Sequence, residues 1–323
     1  MTLPVLSRVR ETLPRDTTPL VRRLAVASLV SQIAIVVTGG AVRLTASGLG
    51  CPEWPRCTPD SIVTTPEMGF HGVIEFGNRL LTFVLVIIAV AMIVAVLGLR
   101  RDRKDLFRLS IGLFLGIPAQ AVIGGITVWT GLNPWVVGLH FVVSMILVAL
   151  ATVLVDRARL TTEQYRERRA PAASPPLRRL LVVATALTSV TILLGVVVTG
   201  SGPHAGDHGA ARNGLDALLV TRLHALPVYL LVATVALAVV VAYRTGVHGA
   251  LRRALTLLAV VVVAQGAIGY TQHFLHLPIA LVALHMLGAS LLMAAVVHAL
   301  YIGTTTKPLP GTTVRAGVRE SVA

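Results

Sequence analysis

The sequence predicts an all-α polytopic membrane protein, with eight transmembrane helices forming two pseudo-symmetric four-helix bundles. Three observations predict it. Apolar residues fill 55% of the 323 positions, charged residues only 13%, and the mean hydropathy is +0.81, far outside the range of water-soluble domains. The apolar residues gather into eight runs of roughly 20 residues, the length a helix needs to cross a hydrocarbon core. Residues 113–149 also repeat in residues 258–294 at a constant spacing of 145 (285 − 140). In that overlay Gln120, Ile123, Gly124, Leu139 and His140 meet Gln265, Ile268, Gly269, Leu284 and His285.

The eight runs lie at about 22–42, 71–99, 107–129, 135–155, 179–200, 219–243, 252–271 and 278–301. Residues 1–21 form a basic N-terminal segment. The apolar run after it is too long for a secretory signal and lacks a small-x-small cleavage site, so it reads as a retained first span. Residues 22–155 then make the first bundle. An Arg-rich and Pro-rich linker, 156–178, leads to the second bundle, 179–301, and a tail, 302–323.

The net charge of +14 does not indicate a nucleic-acid surface, because of where the charge sits. All of the 28 Lys and Arg except Arg43, Arg56, Arg79, Arg212 and Arg222 fall in the first 23 residues, the 100–108, 156–179 and 244–253 connections, and the tail. Positive loops stay inside, so both termini are expected in the cytoplasm of a multi-pass plasma-membrane protein. The basic stretch Arg166-Glu-Arg-Arg169 is then a topology signal, compatible with contact to anionic lipid.

The longer outward loops are 43–70 and 201–218. The first carries both cysteines, Cys51 and Cys57, in Gly48-Leu-Gly-Cys51-Pro-Glu-Trp-Pro-Arg-Cys57. An even count on the oxidising side of a membrane implies a disulfide, read as a local staple with a redox-active pair as the alternative. The second loop has no cysteine. Its His204, Asp207 and His208 read as a solvated loop in preference to a metal site, and His273 and His276 are treated alike.

Ionisable groups inside a span are costly and face the bundle interior, so each is a candidate for function. The second span carries His71, Glu75, Asn78 and Arg79, and steps of four and three put the first three on one face. His140 lies in the fourth span, His224 in the sixth and His285 in the eighth. From the helical rise, each of the three histidines is roughly 9–12 Å below the outward end of its span, as is Glu75. Two imidazoles on opposed helices are natural axial ligands for heme iron in a bundle core, so His224 and His285 are read as a heme-binding pair. The two halves differ. Asn78 occupies the position matching His224, so the first site would have His140, Asn78 and a carboxylate one turn away. That division suggests a resident heme in the second bundle and chemistry in the first, with Glu75 as a proton carrier. The competing role for Glu75 is an ion pair with Arg79, four residues on.

These residues resemble the heme A synthase family. The resemblance covers nearly all of residues 22–301 and rests on Thr38-Gly-Gly-Ala-Val-Arg43-Leu-Thr-Ala-Ser-Gly-Leu-Gly-Cys51-Pro-Glu-Trp-Pro-Arg-Cys57, the Glu75–Arg79 segment, and the histidines of the fourth, sixth and eighth spans. It implies oxidation of a methyl group of heme O to the formyl group of heme A by successive hydroxylations, for terminal oxidase assembly. It further implies a catalytic carboxylate at Glu75, a heme b cofactor on His224 and His285, and a substrate heme on His140. Where the family pattern reads Glu-x-x-His-Arg, this chain has Glu75-Phe-Gly-Asn78-Arg79. Asn is a poor iron ligand, so His140 is read as the single protein ligand of the substrate heme, with His71 as the alternative. The second outward loop lacks the cysteine pair seen in some members. The implied partners are heme O, dioxygen, a quinol or other electron donor, heme O synthase, terminal oxidase assembly factors, the lipid bilayer and further copies of the chain, without nucleic acid. Rival readings are a cytochrome b-type electron carrier, a heme transporter or chaperone, and a thiol oxidoreductase.

Overall fold

The computed structural model describes residues 16–167, 169–305 and 307–308. Most of the expected N-terminal segment 1–21 and of the tail 302–323, together with Arg168, lies outside the described residues. Among the described residues, eight helices are long and apolar enough to cross a membrane: Pro19–Leu44, Pro66–Leu99, Lys104–Trp129, Pro134–Ala158, Pro175–Ser201, Ala217–Arg244, Gly249–Phe274 and Ile279–Thr305. They are the eight predicted spans, and most run a few residues past the apolar stretch. Helical hydrogen bonding continues into the polar flanks, where Thr18 and Asp216 cap the first and sixth spans through their side chains. The second span carries a 3-10 turn at each end, Pro66–Met68 and Leu97–Leu99.

The link between the halves has more structure than its composition suggests. Thr162–Arg166 forms one short helix, closed by a capping box between Thr161 and Gln164. Arg169–Ala170 then pairs antiparallel with Lys307–Pro308 beside the tail.

Packing follows the duplication. The first span packs on the second, the second on the third, the third on the fourth, and the fourth returns to the first. Spans five to eight close a second ring in the same order. The rings meet through spans one, four, five and eight: the first touches the eighth, the fourth touches the fifth, and the fourth touches the eighth. Glycines permit the close approaches. A Cβ on Gly40 would lie 2.9 Å from the Met286 side chain, and one on Gly138 would lie 2.6 Å from Val196.

The buried apolar core is concentrated toward the end of the molecule that holds both chain termini, called here the terminal end. In the first ring it includes Val21, Ala25, Met92, Val96, Leu106 and Leu154; in the second, Leu177, Leu181, Leu251, Leu255, Leu258 and Val296. The opposite, loop end is packed more thinly. The seventh span has no buried residue beyond Val262, and the eighth has none before Ser290.

A buried ionic knot ties the terminal end of the first ring. Arg103 is fully buried and donates to Asp105 Oδ1 (3.1 Å) and Oδ2 (3.2 Å), and to the carbonyls of Arg157 and Leu160 (2.8 Å each). Its guanidinium lies 4.5 Å from the Tyr165 ring centroid, and Arg166 pairs with Asp102 nearby. Removing one partner of a buried charge pair leaves the other uncompensated. Arg103→Ala is therefore expected to cost about 2–4 kcal/mol of stability, read by thermal unfolding in mild detergent. Arg157, 3.6 Å from Asp105, keeps the loss from being larger.

Candidate functional site

At the loop end of the first ring, the second span presents Glu75 as a buried carboxylate. Both its oxygens are engaged. Oε1 accepts from Arg79 Nε at 3.1 Å and Nη2 at 2.5 Å, and Oε2 accepts the Cys51 backbone N–H at 2.7 Å. The ion pair weighed from the sequence thus forms, and it does a second job. Arg79 also donates to the carbonyls of Cys51, Glu53 and Arg56. Glu75 and Arg79 together hold the loop that Cys51 and Cys57 close as a disulfide, with both cysteines fully buried.

That loop is also pinned from the third span. The Trp54 ring occupies the space where a side chain on Gly125 would stand, and Trp129 Nε1 donates to the Trp54 carbonyl at 3.2 Å. One residue earlier, a Cβ on Gly124 would lie 3.4 Å from Cε1 of His140. Neighbouring glycines of the third span thus receive the loop's Trp54 and the ring of His140.

The other members of the predicted set on the second span separate. His71 is exposed at the start of the helix, with Nδ1 2.9 Å from Ser47 Oγ. Asn78 lies deeper and is half-buried; its Oδ1 accepts the Thr38 hydroxyl at 2.7 Å. Among the described residues no group of three or more His, Cys, Asp or Glu is placed to hold a metal ion. His204, which composition left in a solvated loop, has Nε2 3.0 Å from the Leu277 carbonyl oxygen.

The second ring reproduces the fourth-span arrangement in the eighth. Gln120 Nε2 donates to the His140 carbonyl at 3.0 Å, and Gln265 Nε2 donates to the His285 carbonyl at 3.1 Å. A Cβ on Gly269 would lie 3.4 Å from Cε1 of His285, matching Gly124 and His140. His224 of the sixth span is accommodated by Gly195, where a Cβ would come within 3.1 Å of its ring.

These three histidines share one anomaly. The Nδ1 atoms of His140, His224 and His285 are occluded and have no hydrogen-bond partner among the described residues. Buried polar atoms are normally paired, and these three lie at the thinly packed end, with the Oε1 atoms of Gln120 and Gln265 likewise unpartnered. Imidazoles set against glycines at the thinly packed end have the donor chemistry to hold the iron of a porphyrin. Asn78, by contrast, is committed through its oxygen to Thr38.

Several contributors carried too little signal in the sequence. Thr38 and Arg43 sit in the recognisable Gly-Gly stretch, but their partners are distant in sequence. Arg43 donates to the carbonyls of His204 (2.7 Å) and Thr199 (2.9 Å), and Gly48 N donates to the Gly206 carbonyl (2.8 Å), so the two outer loops are bound to one another.

Two helical rings joined through four central spans, with unpartnered histidine nitrogens at the loop end of each, define a duplicated multi-pass membrane protein with a candidate site in each half. The chain belongs to the cytochrome oxidase assembly protein family, whose model matches residues 22–206. It is similar to a heme A synthase from Methylobacterium radiotolerans, 30% identical over 329 residues, which cover 85% of this chain and 87% of that protein. It is also similar to heme A synthases from Exiguobacterium sibiricum (29% identity; 52% of this chain, 55% of that protein) and Symbiobacterium thermophilum (26% identity; 55% and 58%). The chain spans about half the length of these last two relatives.

Arg79 is the main anchor of the disulfide loop. Arg79→Ala should raise amide hydrogen exchange across residues 51–57 at least tenfold while leaving the 113–149 helices unchanged, as measured by mass spectrometry.

Proposed function

We propose that this protein is a heme A synthase, converting the C8 methyl group of heme O into a formyl group and so supplying heme A for terminal oxidase assembly. The observation that carries the proposal is the asymmetry between matched sites: an imidazole pair in one ring, and a single imidazole with a buried carboxylate nearby in the other. Family membership and the names of the relatives support the same reading.

In this proposal His224 and His285 hold a heme b in the second ring, and that group supplies one-electron transfer when bound. His140 holds the iron of the substrate, heme O, in the first ring. Asn78 leaves the opposite face of the substrate without a second strong protein ligand, open to dioxygen. His71 is the poorer alternative as a ligand, because it is exposed and engaged with Ser47. Glu75 takes up and returns protons as the methyl carbon is hydroxylated twice and the resulting diol loses water. Its ion pair with Arg79 and its bond from Cys51 hold it in place beneath the disulfide loop. That loop keeps water from the reacting edge, and the Cys51–Cys57 bond serves as a staple for it. The terminal end faces the cytoplasm of a plasma-membrane protein, in line with its Lys and Arg.

Mass analysis of extracted hemes after co-expression with a source of heme O tests the activity directly. Heme A is the expected product; an extract with only heme b and unaltered heme O would identify an electron carrier or a heme transporter instead. Glu75→Gln should keep its heme content yet stall with heme O or partly oxidised product, and a full yield of heme A from it removes Glu75 from the reaction. His285→Ala should abolish the low-spin heme b absorption; an unchanged spectrum overturns the ligand assignment.

A further inference from the structure

A second polar site lies far from the three histidines, at the junction of the two rings. A cavity of about 290 Å³ opens between spans one, four, seven and eight toward the terminal end. Its walls are apolar: Leu29, Val155, Leu257, Val261, Leu291 and Ala295. Into this lining come Asp156 of the fourth span and His298 of the eighth. Asp156 is buried, and His298 Nδ1 lies 2.8 and 2.9 Å from its two carboxylate oxygens. A carboxylate only accepts, so Nδ1 carries the proton and donates it. In the neutral ring that fixes Nε2 as a lone-pair acceptor, and Nε2 has no hydrogen-bond partner among the described residues. The charge of Asp156 is met from the rim by Arg159 at 3.8 Å.

An oriented base in an apolar, membrane-level cavity selects a ligand that is apolar overall and offers an acidic O–H. The rim residues Leu257 and Leu291 are exposed, so a hydrocarbon tail can leave toward lipid. We propose that this cavity binds the head group of a membrane hydroquinone, with the Asp156-oriented His298 accepting its hydroxyl proton. The proposal rests on the heme A synthase reading for the fate of the electrons. Oxidation of one hydroquinone to the quinone releases two electrons and two protons. Hydroxylation of one methyl group by dioxygen consumes two electrons and two protons and yields one water, so one hydroquinone balances each hydroxylation. One proton passes first to His298 Nε2 and the second follows from the other hydroxyl to water at the terminal end. His224 and His285 would hold the heme that accepts the electrons, one at a time. His298 shares the eighth helix with His285, roughly 20 Å away along it.

The test uses full-length, heme-loaded protein in detergent, with an azido-substituted decylquinone as photoaffinity probe and decylubiquinol as competitor and reductant. Expected are adducts mapping to residues 152–159 or 291–298, lost on competition. His298→Ala should reduce labelling and slow heme b reduction by decylubiquinol at least tenfold, while reduction by dithionite and the heme b spectrum are unchanged. Leu291→Trp, placed at the exposed rim, should obstruct the cavity without touching the Asp156–His298 pair and have the same effect. Labelling elsewhere, labelling displaced equally well by phospholipid, or wild-type labelling and reduction in both variants overturns the proposal. These readouts are independent of heme A yield. A protein that makes heme A with an artificial reductant but fails them loses the quinol site alone.

Discussion

A hydrocarbon slab offers no water to an unpaired polar atom, and this constraint organises the molecule. Many polar groups in the spans have found a partner: hydroxyls return to carbonyls one turn back, Arg43 caps the end of the fifth span, and Nε2 of Gln120 and of Gln265 reaches the carbonyl of the neighbouring histidine, while Oε1 of each glutamine has none. Against that background the occluded Nδ1 atoms of His140, His224 and His285 stand out. They lie where the helices are packed least tightly, while the apolar core that stabilises the rings lies at the opposite end. The buried apolar packing and the three candidate ligand histidines are thereby separated along the helix axes.

Duplication supplies two sites at once, and small changes make them unequal. The third and fourth spans and the seventh and eighth keep the same Gln–Gly–His arrangement, to within 0.1 Å in the hydrogen bond to the histidine carbonyl (3.0 and 3.1 Å). The second and sixth spans diverge: His224 rests against Gly195, whereas Asn78 is bonded to Thr38. The divergence extends to the loops. Only the first ring has a carboxylate–guanidinium pair holding a disulfide loop over its site, with Trp54 wedged against the third span. Under the proposed function, a buried carboxylate that also orders this loop would couple enclosure of the site to its proton chemistry.

Much of this was legible in the chain. The eight spans followed from apolar run length, and the repeat from identical residues at fixed spacing, because span length and duplication leave one-dimensional marks. The three histidines followed from the cost of an imidazole in lipid. The disulfide followed from two cysteines six residues apart in an outward loop. The helical face shared by His71, Glu75 and Asn78 was correctly spaced but divided in function: His71 is drawn to Ser47 at the helix start, and Asn78 to Thr38 deeper in. The short helix and two-residue strand pair of the linker were not foreseen, since Arg and Pro content reports only that a segment cannot be a span.

The sequence by itself determined the class of protein, the number of spans, the duplication and the positions of the histidines within the spans, since each depends on composition or spacing along the chain. Tertiary structure alone decided which groups meet. Asp156 and His298 are separated by 142 residues and Arg43 and His204 by 161, and no local pattern marks either pair. The Glu75 carboxylate could have served Arg79 alone; the fold gave its second oxygen the Cys51 N–H. The physical reason is common to all three. A buried polar group takes whichever complementary group the packing brings within about 3 Å, and that choice is made between helices.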